Sequence, residues 1–122
     1  MYRDDDATEL AGVLLENACK RGGHDWQNIV SKIRASHCQL WITDGAALVT
    51  QATTDDVLEC LLAGGSGAIN WTDEAEQVLS QFAAENGLHT LRIWGRKGWI
   101  KYFPHWENMG TEDGLVILER AT

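Results

Sequence analysis

The stretch "VLECLLAGGSGAINWTDEAEQVLSQFAAENGLHTLRIWG" (57–95) decides the fold. Its first nine residues are apolar almost without a break, the composition of a strand buried on both faces and therefore central in a sheet. After a glycine-rich interruption, "TDEAEQVLSQFAAENG" (72–87) sets Ala75, Val78, Leu79, Phe82 and Ala83 on one helical face, and Asn86-Gly87 stops the helix. "LHTLRIWG" (88–95) then alternates as a second strand. Strand, helix and strand with short links form a βαβ unit, so 57–62 and 88–94 are expected to be parallel with a right-handed crossover. Both strands then end on one edge of the sheet. That edge brings "AGGSGA" (63–68) beside "GRKGW" (95–99).

Upstream, "DATELAGVLLENACKRGG" (6–23) places Leu10, Val13, Leu14 and Ala18 on one face and predicts one helix of about 15 residues, acidic at its start and basic at its end. "HDWQNIVSKIRAS" (24–36) predicts a second helix capped by Asp25. "CQLWITDGAALVTQAT" (38–53) changes to a strand pattern around Asp44-Gly45, a hairpin signal, and "TTDD" (53–56) is a further turn. Downstream, "RKGWIKYF" (96–103) predicts two helical turns ended by Pro104, and "GLVILER" (114–120) a last strand. The whole predicts a single α+β domain over 1–122, with an acidic, flexible segment at 1–6. Its mixed sheet has about five strands with helices on both faces, and a crossover helix joins its central parallel pair.

Composition limits the partners. A chain of 122 residues with net charge −8 lacks the basic surface that phosphate backbones require, so no nucleic acid is expected. No apolar run is long enough for a membrane span, and the acidic "MYRDDDATEL" (1–10) is unlike a secretory leader, which predicts a cytoplasmic protein. Cys19, Cys38 and Cys60 are an odd, widely spaced set and are expected to be free thiols. His24, His37, His89 and His105 show no metal-ligand spacing, and no metal is expected. Four of the ten Lys and Arg residues fall between Arg92 and Lys101. Arg96 and Lys97 therefore stand beside the glycine corner, where a helix N-terminus and backbone N–H groups favour an anion. Against that, Asp73, Glu74 and Glu76 at the expected helix start would repel phosphate.

The order of elements, with "CQLWITDGAALVT", "VLECLLAGG", "FAAENG" and "LRIWGRKGW", resembles the Gcn5-related N-acetyltransferase (GNAT) fold over roughly residues 8–120. It is most similar to the short GNAT-like proteins of tailed phages. The resemblance implies that the strand over 57–62 bonds a pantetheine arm. It also implies that the loop (Gln/Arg)-x-x-Gly-x-(Gly/Ala), here Leu62, Gly64, Gly65, Ser66 and Gly67, cradles a pyrophosphate; in a working enzyme Arg96 and Lys97 would replace the usual loop contacts. Tyr102 falls at the family's general acid and Glu59 at a general base. Leu62 stands where the family has Gln or Arg, and only "MYR" remains of an N-terminal strand, so a trimmed fold is expected.

Those departures lead to the expectation of a non-catalytic GNAT-like protein of phage type, without a cofactor. It would act in virion assembly or within the virion through contacts with phage structural proteins or with itself. Trp71, Trp94, Trp99 and Trp106, near the glycine edge, are its candidate contact residues. The alternative is a working N-acetyltransferase using acetyl-CoA. A third reading, from charge and size, is an acidic inhibitor of a host protein.

Overall fold

The computed structural model describes residues 1–122, every side chain included except that of Ile69. Its elements in chain order are β1 (Tyr2–Arg3), α1 (Thr8–Leu14), α2 (Glu16–Gly22), α3 (Trp26–Arg34), β2 (Gln39–Thr43), β3 (Ala46–Ala52), β4 (Val57–Gly65), α4 (Ala68–Glu85), β5 (Thr90–Gly95), a 3-10 helix (Lys97–Lys101), β6 (Glu107–Glu112) and β7 (Leu115–Ala121). One sheet of seven strands runs in the order β1-β2-β3-β4-β5-β7-β6. β4 lies at its centre, and its residues 57–60 are all buried, as their unbroken apolar character predicts. The β4–β5 pair is parallel, Val57 opposite Thr90 and Cys60 opposite Ile93.

The sheet is larger than the five strands expected, for two reasons. β1 is only two residues long, pairing Tyr2 with Ile42 and Arg3 with Trp41. β6 is exposed along its whole length, so its sequence "ENMGTE" carries no apolar alternation, and backbone pairing with β7 is what makes it a strand. The link between them, Asp113-Gly114, has both φ angles positive (52° and 79°), the conformation of a two-residue hairpin loop. The segment 1–6 is not a free tail either. Asp5 Oδ1 accepts from the Leu40 N–H at 2.9 Å, and the Asp4 N–H donates to the Leu40 carbonyl at 2.9 Å.

Helices cover both faces. On one, α1, α2 and α3 pack Ala11, Leu15, Cys19, Ile29 and Ile33 against Leu40, Ile42, Val49 and Leu62. On the other, α4 packs Trp71, Ala75, Leu79 and Ala83 against Leu48, Leu58, Leu91 and Ile93. Each fully buried aliphatic side chain contributes about 1.5–3 kcal/mol, so these two layers supply most of the drive to fold. The first predicted helix is two, broken at Leu15 (φ −100°, ψ 4°). The break faces β4, where a Cβ on Gly64 would stand 2.8 Å from the Leu14 carbonyl oxygen. Asp25 caps α3 as expected, accepting from the Gln27 N–H at 3.2 Å. The three cysteines are free and buried, and burial pushes the Cys60 thiol up to about 12, which leaves it unreactive.

A polar clamp fixes α4 against the segment that follows the 3-10 helix. Glu76 accepts from Trp106 Nε1, contacts His105 Nε2 at 2.9 Å and pairs with Arg120 Nη1 at 3.0 Å. Burial by itself would raise the Glu76 pKa. The hydrogen bonds from Trp106 and His105 and the charges of His105 and Arg120 outweigh it and hold the carboxyl below its ordinary value. A depressed carboxylate stabilises the fold above its unfolded pKa, about 4.3, and that contribution disappears as pH falls through the lower folded value. Glu76→Gln is therefore expected to cost on the order of 1–3 kcal/mol at pH 7. In urea melts followed across pH, the gap between the two proteins should narrow as pH falls below the ordinary carboxylate range and close only where wild-type Glu76 becomes protonated as well.

Candidate functional site

The site follows from where β4 and β5 stop pairing. Their ladder ends at Cys60 and Ile93; beyond it β4 stays with β3 as far as Gly65, and β5 stays with β7 as far as Gly95. Two strands that each keep an outer partner but lose one another leave a V-shaped opening at the carboxyl edge, the usual ligand position in open α/β sheets. A cleft of about 730 Å³ occupies this edge. One wall is the glycine corner 64–67 with Ala68 and Trp71; the other is Arg96, Trp99, Lys101 and Tyr102; α1 and α2 close it with Val13, Leu14, Asn17, Ala18 and Arg21.

The glycine corner is shaped by close approach and by an anchor. A Cβ on Gly65, whose φ is +122°, would lie 2.1 Å from the Gly45 carbonyl oxygen, so the β2–β3 turn can reach the loop only if this residue is glycine. Gly67 (φ +73°) turns the chain into α4, and no atom within 3.4 Å would obstruct a Cβ there, so its surroundings stay open. Trp71 Nε1 donates to the Ser66 carbonyl at 3.1 Å and pins the loop from one turn into the helix. The N–H groups of Gly67 and Ala68 have no acceptor among the described residues.

The position of the helix start corrects the sequence argument against an anion. α4 begins at Ala68, not near Thr72, and its first turn contains no carboxylate. Asp73 and Glu74 lie in the second turn, and Glu76 is engaged by Trp106, His105 and Arg120. The dipole at the helix start is therefore open to an anion. Among the described residues no Asp, Glu or His lines the cleft, whereas Arg21, Arg96 and Lys101 do, in a chain of net charge −8. Among the described residues neither Arg21 nor Arg96 has an ion-pair partner. The Arg21 pKa is lowered, by partial burial and then by the like charge of Arg96. Two cations held against each other form a locus that an anion would stabilise.

Tyr102 caps the 3-10 helix at the cleft wall, half-buried, with the Lys101 ammonium 5.0 Å from its ring centre and Trp99 at 5.8 Å. Its hydroxyl makes no hydrogen bond among the described residues. Behind Trp99 a narrow slot of about 20 Å³ runs between residues 61–63 and 94–96, bounded by Arg21, Gly22 and Leu115. Trp99 packs so tightly over Gly95 that a Cβ there would stand 2.4 Å from its ring. Trp94 Nε1, in the slot wall, is buried without a hydrogen-bond partner.

The remaining candidates are placed as follows. Gly64, Gly65, Ser66, Gly67 and Arg96 share the cleft, while Lys97 is exposed and outside its lining. Leu62 is 2% exposed and buried beneath α1 and α2, although it also edges the slot. Glu59 lies toward the other end of β4 and is not in the cleft lining. Arg92 Nη1 holds it at 2.7 Å, and Arg92 Nε reaches Glu119 at 2.6 Å. Trp71 and Trp106 are core residues, and Trp94 and Trp99 are half-buried around the slot, so the four do not form one exposed patch. Arg21 and Lys101 were not singled out from the sequence. Arg21 read as a helix-end cation, and nothing in its neighbourhood places that helix end over strands 40 residues downstream.

No protein-family model matches the chain, and no curated protein matches it. Solved structures do match. An IAA acetyltransferase from Bacillus cereus superposes with a TM-score of 0.66 at 10% identity, over 99% of this chain and 97% of that one. A GNAT-family acetyltransferase from Listeria monocytogenes gives 0.64 at 13% identity, over 86% and 76%. The PaiA N-acetyltransferase from Thermoplasma acidophilum, in complex with coenzyme A, gives 0.63 at 10% identity, over 87% and 77%. The chain has the GNAT acetyltransferase fold. These structures carry no link to tailed phages.

Gly65→Ala should cost on the order of 3 kcal/mol, because the methyl meets a backbone carbonyl that cannot rotate away and the φ angle is strained for an L side chain. Urea titration with tryptophan fluorescence measures it.

Proposed function

We propose that the chain is an acyltransferase that uses acetyl-CoA as its acyl donor. The observation that carries this reading is the cleft at the parted ends of β4 and β5, lined by Arg21, Arg96 and Lys101 and by no carboxylate although the chain is strongly acidic. The PaiA structure with coenzyme A supports the same ligand class on the same fold.

The residues present fit the nucleotide end of such a donor. Gly67 and Ala68 offer N–H groups at an uncharged helix start, and the cleft cations supply the charge that the missing Gln or Arg at Leu62 would have brought. The unpartnered Trp94 N–H suits an amide carbonyl of a pantetheine arm. The slot as it stands is too small for that arm, and Trp99 has to leave its seat on Gly95 to admit it.

Bound acetyl-CoA supplies a thioester, whose carbon–sulfur bond breaks, with its electron pair remaining on sulfur, as an amine nitrogen bonds to the acyl carbon. Tyr102, with its hydroxyl free on the cleft wall, protonates the departing thiolate and regains a proton from solvent. No carboxylate or imidazole lines the cleft, so the proton lost by the amine passes to water. Glu59 serves the sheet through Arg92. Burial alone would lower the Arg92 pKa, and the hydrogen bonds and charges of Glu119 and Glu59 raise it above its ordinary value.

A second reading, a non-catalytic protein that acts through protein contacts, is favoured by one observation, the narrow slot behind Trp99. Calorimetry with coenzyme A separates the two. The enzyme reading expects a Kd between about 1 and 100 μM, weakening as salt screens the cleft cations; absence of binding at millimolar coenzyme A removes it. Given turnover, Tyr102→Phe should lower kcat by about 10²-fold or more with the coenzyme A affinity unchanged. The pH profile of kcat/KM should rise with unit slope up to the acceptor amine's own pKa. A limb in the carboxylate or imidazole range would instead place a base on the protein.

A further inference from the structure

The cleft and the slot share Ala18, Arg21, Ala63, Arg96 and Trp99 in their walls, and the two arginines are the charged members of that set. Arg21, near the end of α2, and Arg96, directly after β5, line both spaces, whereas the glycine corner 64–67 lines the cleft alone. Side chains alternate along β5, with Leu91 and Ile93 turned to α4, so Trp94 faces the α2 side of the sheet. The start of α4 and its N–H groups line the cleft, whereas the slot lies under α2, between Arg21, Gly22, Trp94 and Leu115. Phosphates drawn to the helix start leave the α2 side for whatever attacks the acyl group.

We infer that Arg21 and Arg96 form an anion clamp on the α2 side of the slot, selecting an acyl acceptor whose amine is carried on a small molecule bearing a carboxylate or phosphate. The inference rests on the acyltransferase reading and names its substrate class. Two guanidiniums without an acidic partner among the described residues are matched by a planar or tetrahedral anion through paired N–H donors. A polyamine or a lysine-rich peptide meets the opposite, because no carboxylate faces it from α1, α2, the first turn of α4 or the segment after β5. The same charges, with Lys101, disfavour an ammonium, so an acceptor held by its anionic group presents a neutral amine in a cleft that lacks a base. Both arginines are exposed, so replacing them leaves the packed layers intact.

The test begins with acetylation of a panel by the wild-type protein: glycine, glutamate and phosphoethanolamine against tyramine and spermidine. The anionic amines are expected to lead by about tenfold or more in kcat/KM, and the carboxylate and phosphate arms identify which anion is preferred. Measured at saturating acetyl-CoA, Arg21→Gln and Arg96→Gln should each raise KM for the favoured acceptor by about 10–100-fold with the melting temperature unchanged, and Arg21→Lys should recover part of the loss. Independently of turnover, titrating glutamate or phosphoethanolamine into protein without coenzyme A should shift the arginine side-chain NMR signals of residues 21 and 96, and spermidine should not. A preference for spermidine or tyramine overturns the clamp. Arginine variants that lose coenzyme A affinity while keeping acceptor KM overturn it too, assigning both cations to the donor's phosphates. If coenzyme A binds and turnover is seen, such results remove the clamp alone; if coenzyme A does not bind, the acyltransferase reading falls first.

Discussion

The structure turns on one lost ladder. Up to Cys60 and Ile93, β4 and β5 satisfy one another's backbone groups as parallel strands. Past that point each keeps its outer antiparallel partner and gives up the inner one. A sheet tolerates this only where the freed N–H and C=O groups can meet solvent or a ligand, since burying them unpaired would cost several kcal/mol each. The opening therefore has to lie at a surface. The helices respect it: α4 covers one face through its apolar stripe, and α1 and α2 cover the other up to the rim.

Local features around that rim serve its shape. Gly64 lets the break between α1 and α2 settle on β4, and Gly65 lets the β2–β3 turn do the same from the other side. Trp71 ties the loop to the helix it introduces, and Trp99 lies on Gly95 at the far wall. The rim is thus made of backbone and rigid aromatic rings, and its charges come from three exposed cations. Such a wall is polar without being acidic, which in this chain is the exception. Outside that rim, carboxylates near the core are held in paired form, Glu76 with Arg120 and His105, and Glu59 and Glu119 with Arg92.

Much of this was legible beforehand. The parallel pair, its crossover helix, the Asp44-Gly45 hairpin and the Asp25 cap all follow from periodicity and turn chemistry. β6 was hidden because an exposed edge strand needs no apolar face, although Asp113-Gly114 marks the loop that leads out of it. The sequence places the start of α4 at Thr72, where the apolar helical period becomes clear, while the helix is in fact entered through Gly67 in the left-handed region. That shift of four residues reversed the electrostatics of the site. The earlier start leaves the first turn free of acids, and the glycine corner passes from an anion-repelling feature to an anion-accepting one.

The sequence by itself determined which segments become strands and helices and in what order, because hydrophobic period and turn residues act over a few neighbours. It thereby placed both glycine corners on one edge. Only the tertiary structure decided that Arg21 reaches that edge, that Glu59 is taken up by Arg92, and that Trp106 belongs to the core while Trp99 guards the slot. Each of these depends on contacts between residues dozens of positions apart. Charge and packing at such distances are set by how the helices settle on the sheet, and no local pattern encodes that.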